Sequence, residues 1–256
     1  MPIKDAKQRA KEKLMKDRGM LVVKHNDFIQ KSRHQLSLQE QKIVLYLISK
    51  VKPDDVNFTE QVFSIAEFCK ICGFHGDSGK NYSDLKKSLQ SIRDRSVWIE
   101  KDDGSITTLG WIDKVTINKN SGLVTLKLDE DLKPFLLQLE EDYTLYQLRF
   151  ALVMTSQYSI RLYELLKSYA FKVYTVFELD ELKRRLNAEN YERNPDFKRK
   201  VLEIAVREIN KHTDIRVEYS FEKEGRKFVR VAFSIQRMSN IDTWMAGFAA
   251  DKVIGT

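Results

Sequence analysis

The strongest restriction on how this chain folds is that it repeats its own pattern at a spacing of roughly 115 residues, so each half must fold to a similar unit. In "IVLYLISK" (43–50) and "IRLYELLK" (160–167), Ile43, Leu45, Tyr46, Ile48 and Lys50 stand opposite Ile160, Leu162, Tyr163, Leu165 and Lys167. Both segments read as amphipathic helices. Ser37, with Glu40 three residues on, predicts a capping box for the first. The next pair is "FSIAEFCKICG" (63–73) and "FELDELKRRLN" (177–187), each a short helix entered from a strand residue. Each ends on a residue that tolerates left-handed backbone, Gly73 or Asn187. A third helix follows in both halves, where Leu85, Leu89 and Ile92 repeat as Leu202, Val206 and Ile209 along one face. Both halves then alternate with period two, over 97–128 and 215–235, around turns at Asp103-Gly104, Ser121-Gly122 and Glu224-Gly225. Three helices followed by a β-hairpin is the order of a winged helix-turn-helix. The predicted class is α+β, two tandem winged helix-turn-helix domains related by internal duplication. Their expected bounds are 21–140 and 141–236, with a basic segment over 1–20 and a tail over 237–256.

Several functions meet obstacles in the residues. "GFHGDSGKNY" (73–82) nearly spells a phosphate-binding loop, but Phe74 stands where the first glycine is needed and Asn81 where the hydroxyl is needed. The stretch reads instead as the turn between the second and third helices, matched by "NAENYERNPDF" (187–197), in which Asn194-Pro195 predicts an N-cap followed by a first-turn proline. Cys69 and Cys72 form a CxxC late in a helix rather than at its start, which predicts buried thiols facing a core, not a redox pair or a zinc site. His25, His34, His75 and His212 include no HxH pair, and neither GxSxG nor HExxH occurs. No catalytic residues, metal or cofactor are predicted.

Charge points toward a polyanion. The chain carries a net +7 with a pI near 9.2. No apolar run approaches the ~18 residues of a membrane span, and "MPIKDAKQRAKEKLMKDRGM" has no apolar core of a secretion signal. A cytoplasmic protein without a membrane partner is expected. The run Lys4, Lys7, Arg9, Lys11, Lys13, Lys16 and Arg18 is either an accessory polyanion arm or a solvated tail.

In a helix-turn-helix the outer face of the third helix enters the major groove. On a wheel of residues 195–212, Phe197, Val201, Ile204 and Ala205 lie inward, while Arg199, Lys200, Glu203, Arg207, Asn210 and Lys211 share the outer arc. These side chains suit base edges: arginine bridges guanine O6 and N7, asparagine pairs with adenine, and glutamate accepts from cytosine N4. The same arc would serve as an ordinary solvated face, but Lys223, Arg226, Lys227 and Arg230 follow in a basic hairpin suited to phosphates. The first half is less basic. Lys86, Lys87 and Gln90, with Ser91 and Asp94, suit backbone contacts or a protein interface equally well.

"SQYSIRLYELLKSY" (156–169), "FKRKVLEIAVREINKHTDIRVEY" (197–219) and "GRKFVRVAFSI" (225–235) resemble the second winged-helix domain of iteron-binding plasmid replication initiators. "HNDFIQKSRHQLSLQEQKIVLYLIS" (25–49) resembles the opening of their first domain, and the likeness runs from about residue 21 to residue 236. It implies monomers on directly repeated origin sites, read mainly by the second domain. It also implies dimers, joined through the first domain and in equilibrium with monomer, that bind an inverted-repeat operator and repress their own gene. Arg199, Lys200, Glu203 and Arg207 would read bases, with Arg226 and Lys227 in the wing. Origin melting and recruitment of a host initiator and replicative helicase would follow, without nucleotide hydrolysis. A winged-helix transcriptional regulator without an initiation role is the alternative. The tail, with Trp244, Met245 and Phe248, lies outside the resemblance.

Overall fold

The computed structural model describes residues 20–52, 55–73 and 78–239. The N-terminal basic run, the turn residues 74–77 and the C-terminal tail from 240 lie outside the described residues. In the first half, β1 (Leu21–His25), α1 (Asn26–Lys31) and β2 (Ser32–Arg33) lead into α2 (Leu38–Ile48), then β3 (Gln61–Ser64), α3 (Ile65–Cys72) and α4 (Ser78–Asp94). Two hairpins follow, β4 (Ser96–Glu100) with β5 (Ile106–Gly110) and β6 (Ile112–Asn118) with β7 (Leu123–Leu128), then a short α5 (Lys133–Leu136). The second half has β8 (Tyr143–Gln147), α6 (Leu148–Leu152), α7 (Gln157–Ser168), β9 (Tyr174–Glu178) and α8 (Leu179–Arg185). Its third helix, α9, runs as Asn194–Phe197, a π-helical turn Lys198–Leu202, and Glu203–His212, and the wing strands β10 (Ile215–Glu224) and β11 (Lys227–Arg237) follow.

The duplication is visible in the strand order. The first domain has a sheet β3-β7-β6 and the second a sheet β9-β11-β10; in each, the strand before the second helix pairs with the last wing strand. The counterpart of 215–235 is therefore 112–128 and not the whole of 97–128. Hairpin β4–β5 is an addition that joins β2 in a separate sheet. Period-two alternation cannot reveal this, because it says which face is buried and not which strand is the neighbour.

Local signals behave as their chemistry requires. Ser37 and Glu40 form the reciprocal capping box of α2, with Ser37 N–H donating to the Glu40 carboxylate at 2.6 Å. Gly73 and Asn187 both take positive φ, +75° and +54°, at the ends of α3 and α8. At the start of α9 the cap is Arg193, so Asn194 falls inside the helix; its side-chain oxygen is engaged by Lys183 Nζ at 3.1 Å and is not free to cap. Cys69 and Cys72 are buried free thiols on α3. Burial pushes Cys69 up to about 11, and Cys72 is raised for the same reason, so neither is a ready nucleophile.

Helix α2 departs from the amphipathic expectation. Every residue from Glu40 to Ile48 is buried, Gln41 and Lys42 included. Its repeat partner α7 is enclosed in the same way. Each helix serves its own domain on one side and the other domain on the other. Between the halves, β1 and β8 pair antiparallel, Val23 opposite Leu145 at the centre, so the opening strands of the two repeats join across an approximate two-fold. Beneath that ribbon, Lys24 Nζ lies 2.6 Å from Glu164 Oε1, with side chains only 5% and 2% exposed, and Tyr146 OH donates to the same oxygen at 2.6 Å. Arg161 on α7 reaches across to Ser32 O at 2.9 Å and also donates to Arg185 O at 3.2 Å. Gln30 and Ser168, and Tyr169 and Gln30, add hydrogen bonds of 3.1 and 3.0 Å. The core is continuous across both domains.

Two predictions follow from this packing. Lys24→Met leaves the Glu164 carboxylate buried without its cation and should cost ~3–5 kcal/mol in urea unfolding, whereas Lys24→Met with Glu164→Leu should recover most of that loss. The second concerns Lys42, buried where α2 meets Cys72 and Glu208 and depressed by desolvation from 10.5 to about 8. At pH 7 the ammonium is charged in both folded and unfolded chains, and burying it costs stability. Above pH 8 the folded chain releases the proton while the unfolded chain keeps it until about 10.5, so stability rises over that window. Lys42→Met should therefore exceed the parent in stability at pH 7, with the gap closing by up to ~1.4 kcal/mol per pH unit as pH approaches 10. A gap independent of pH would mean that the lysine is solvated in the folded chain.

Candidate nucleic-acid interface

Helix α9, expected to be the reader, is built from inside. Phe197, Val201, Leu202, Ala205 and Ile209 are buried, whereas Ile204, expected inward, is half-exposed. The π-helical turn explains the exchange. In a regular helix Leu202 would point well away from Phe197; with the wider turn of i→i+5 bonding both Val201 and Leu202 fall beneath it. The same turn projects Lys198, Arg199 and Lys200 consecutively to solvent.

Four anchors fix this helix, and most are invisible in a linear reading. Lys183 on α8 bridges to Asn194 at its start and to the Glu192 carbonyl at 3.3 Å, holding the turn of the helix-turn-helix. Glu208, buried, accepts from Thr155 N–H at 3.1 Å and from the Thr155 hydroxyl, fastening α9 to the entrance of α7. Its one sequence signal is a carboxylate on the inward arc beside Ala205 and Ile209, which requires a buried partner. Asp214 accepts from Tyr163 OH at 2.8 Å and from Lys167, pinning the link between helix and wing. Asn210 is the fourth anchor.

Asn210 corrects a sequence expectation. Its Nδ2 donates to Val217 O at 2.9 Å and its Oδ1 accepts from Val217 N–H at 2.7 Å, so the amide is spent on clamping α9 to β10. It offers no adenine edge in this conformation. Arg230 is engaged within the wing: Nε lies 2.8 Å from Glu222, and Nη1 2.9 Å from Glu224 and 3.9 Å from Glu178. Hydrogen bonds to Glu222 and Glu224 raise its pKa. It closes the wing ladder across the register shift at Glu222/Lys223.

The remaining expected residues are exposed. Arg199 and Lys200 lean on Asp196 at 3.4 and 3.7 Å, and Lys198 faces Glu203 at 3.9 Å; such surface pairs are weak and readily exchanged for another anion. The side chains of Arg207 and Lys211 on α9, and of Arg226 and Lys227 at the wing turn, have no ion pair or hydrogen bond among the described residues. Lys223 lies 4.6 Å from the centre of the Phe228 ring. In the first domain Lys86, Lys87 and Gln90 are exposed on α4, while Ser91 turns to Glu40. Among the described residues no group of three His, Cys, Asp or Glu side chains is placed to hold a metal, and no helix is long and apolar enough to cross a membrane.

Residues 21–167 match the family model described as Initiator Replication protein, WH1, and residues 178–235 match Initiator Rep protein, WH2. The chain belongs to this family of replication initiator proteins. The initiator is 31% identical over 144 residues to the PI protein of Escherichia coli, a match covering 49% of this chain and 47% of that protein, so it reaches about half the length of this curated relative. A crystal structure of the Pi initiator protein in complex with iteron DNA superposes with a TM-score of 0.69 at 22% identity, covering 87% of this chain and 99% of that one. That likeness establishes the shared fold, two winged-helix domains in one chain. The first family model ends at residue 167, within α7, and the second begins at residue 178, the end of β9.

Asn210→Ala separates clamp from reader. Loss of both bonds to Val217 should lower unfolding stability by ~1–3 kcal/mol, and a thermal melt without DNA checks it. An unchanged melting temperature would return Asn210 to the list of base readers.

Proposed function

We propose that this chain is a plasmid replication initiator that binds directly repeated origin DNA, the iterons, with its second winged helix as the main reader. The observation that carries the proposal is the set of cations on that domain whose side chains have no ion pair or hydrogen bond among the described residues. Arg207 and Lys211 stand on the exposed arc of α9, and Arg226 and Lys227 at the tip of the adjoining wing. A helix fastened at both ends and on its inner face is the rigid support that base reading needs, and paired cations would have to break their pairs before meeting phosphate. The family assignment and the likeness to an initiator solved on iteron DNA support the same reading.

In the mechanism, phosphate contacts from the wing set register and α9 reads base edges in the major groove. Arg199, Lys200, Glu203 and Arg207 are the proposed readers; Arg226 and Lys227, with Lys223 and Lys211, are the proposed backbone contacts. Lys86, Lys87 and Gln90 on α4 supply accessory contacts from the first domain. The finer parts of the proposal are binding to iterons as a monomer, a dimer through the first domain that represses the protein's own gene, and recruitment of a host initiator and helicase in the cytoplasm.

A footprint on DNA flanking the gene tests the central claim. Regularly spaced protection over direct repeats is expected, and protection of a single inverted repeat alone would indicate a transcriptional regulator instead. On the protected site, Arg207→Ala should cost ~1–3 kcal/mol and relax selectivity at one base pair; equal weakening on every sequence would make it a phosphate contact. Lys227→Ala should weaken binding evenly and reduce the slope of log K against log salt by about one unit. An unchanged slope would remove the wing tip from the interface.

A further inference from the structure

Beside the β1–β8 ribbon the two domains meet along a second surface, where α1, β2 and the β4–β5 turn of the first face α8 of the second. A cleft of about 280 Å³ lies there, close to the ~300 Å³ at which ligand pockets begin. Its walls are strongly charged. Lys31, Arg33, Lys101, Arg184 and Arg185 line it, against the carboxylates Glu100, Asp102 and Glu181.

Lys31 is matched within this set, by Asp102 at 2.7 Å and by Asp27 on its own helix at 3.1 Å. The arginines are not. Glu181 bonds to Arg184, lies 2.8 Å from Arg185 Nε and stands 4.0 Å from Arg33 Nη2. Arg33 has Glu100 as a second partner at 3.3 Å, so three guanidinium groups divide two carboxylates between them. Arg161 adds another buried cation close by, and the carboxylate that offsets it, Glu164, is already bonded to Lys24.

A second, independent observation comes from neutral and buried donors. Ser32 lines the cleft at 1% exposure, and its hydroxyl has no hydrogen-bond partner among the described residues. The buried Nη1 of Arg185 has none either. Groups of this kind are nearly always paired, because burial has cost them their bonds to water. One nitrogen of Arg161, Nη2, donates to both Ser32 O and Arg185 O, at 2.9 and 3.2 Å, which fixes these two residues side by side. An acceptor placed in the cleft would serve both.

The chemistry that such a wall matches is a tetrahedral oxyanion. Guanidinium groups present N–H donors in a planar fork that fits phosphate oxygens two at a time. A serine hydroxyl supplies one more donor without adding charge. A phosphate offers acceptors to donors that converge from several directions, and its negative charge offsets the surplus of arginine over carboxylate.

We propose that this interdomain cleft binds inorganic phosphate, with Arg33, Arg184 and Arg185 as its cations and Ser32 as the neutral donor. The bound anion would tie β2 of the first domain to α8 of the second, the helix whose Lys183 holds the turn before α9. The proposal does not depend on the DNA-binding reading.

Thermal melts of the full chain without DNA, with inorganic phosphate exchanged for chloride at constant ionic strength, test it. Binding to the folded chain should raise the melting temperature, with a response that saturates. Ser32→Ala should leave the melt without phosphate unchanged, because the hydroxyl has no protein partner, and should raise the half-saturating concentration several-fold. Arg33→Met with Arg184→Met should abolish the saturable rise. Should the arginine pair loosen the fold, Ser32→Ala still decides. A parent with no saturable rise overturns the proposal, and so does a rise indifferent to Ser32→Ala. A rise that disappears instead in Arg207→Ala with Lys227→Ala would place the phosphate on α9 and the wing, and overturns it as well.

Discussion

Glu164 is a carboxylate with almost no access to water, and the relation between the two halves depends on what surrounds it. Lys24 from the first strand of the first repeat and Tyr146 from the first strand of the second repeat both bond to its Oε1. A buried charge is tolerated only while its partners hold their positions. The strand pair β1–β8 supplies that geometry, and Arg161, one helical turn before Glu164 on α7, carries the same constraint to the Ser32 and Arg185 carbonyls. Two winged helices joined by a simple linker would move independently; these share a ribbon, an ion pair and a core.

That rigidity bears on α9, the proposed reading helix. α9 is attached through Glu208 to the entrance of α7, and α7 is the helix that carries Glu164 and Arg161. Lys42 on α2 lies within electrostatic reach of Glu208, so α9 also faces the first domain. A disturbance at the central ion pair has a short path to α9, through packed side chains rather than through a hinge. The wing is fastened from the same helix, by Asn210 to Val217 and by Asp214 to Tyr163.

Much of this architecture was legible along the chain because it rests on local chemistry. The capping box at Ser37, the positive-φ residues Gly73 and Asn187, and the glycines at the hairpin turns are each dictated by a few neighbouring atoms. The repeated apolar spacings marked α2 with α7 and α4 with α9. The wheel also placed Arg199, Lys200, Glu203, Arg207 and Lys211 on the solvent side. What it missed depended on partners distant in sequence. The π-helical turn left Ile204 half-exposed, the inserted hairpin β4–β5 shifted the correspondence of the wings, and Asn210 and Arg230 found hydrogen-bonding partners within the fold.

The sequence by itself determined the two-fold repetition, the class of each unit and the sign of its charge, because periodicity and caps act over a turn or two of backbone. Only the tertiary structure decided which polar side chains remain available. Lys24, Asn210 and Arg230 are residues of types that usually face water, and each is committed to a partner brought close by strand register or helix packing. The physical reason is that a hydrogen bond or ion pair depends on distances of a few ångströms in space, whereas the order of residues fixes only their distance along the chain.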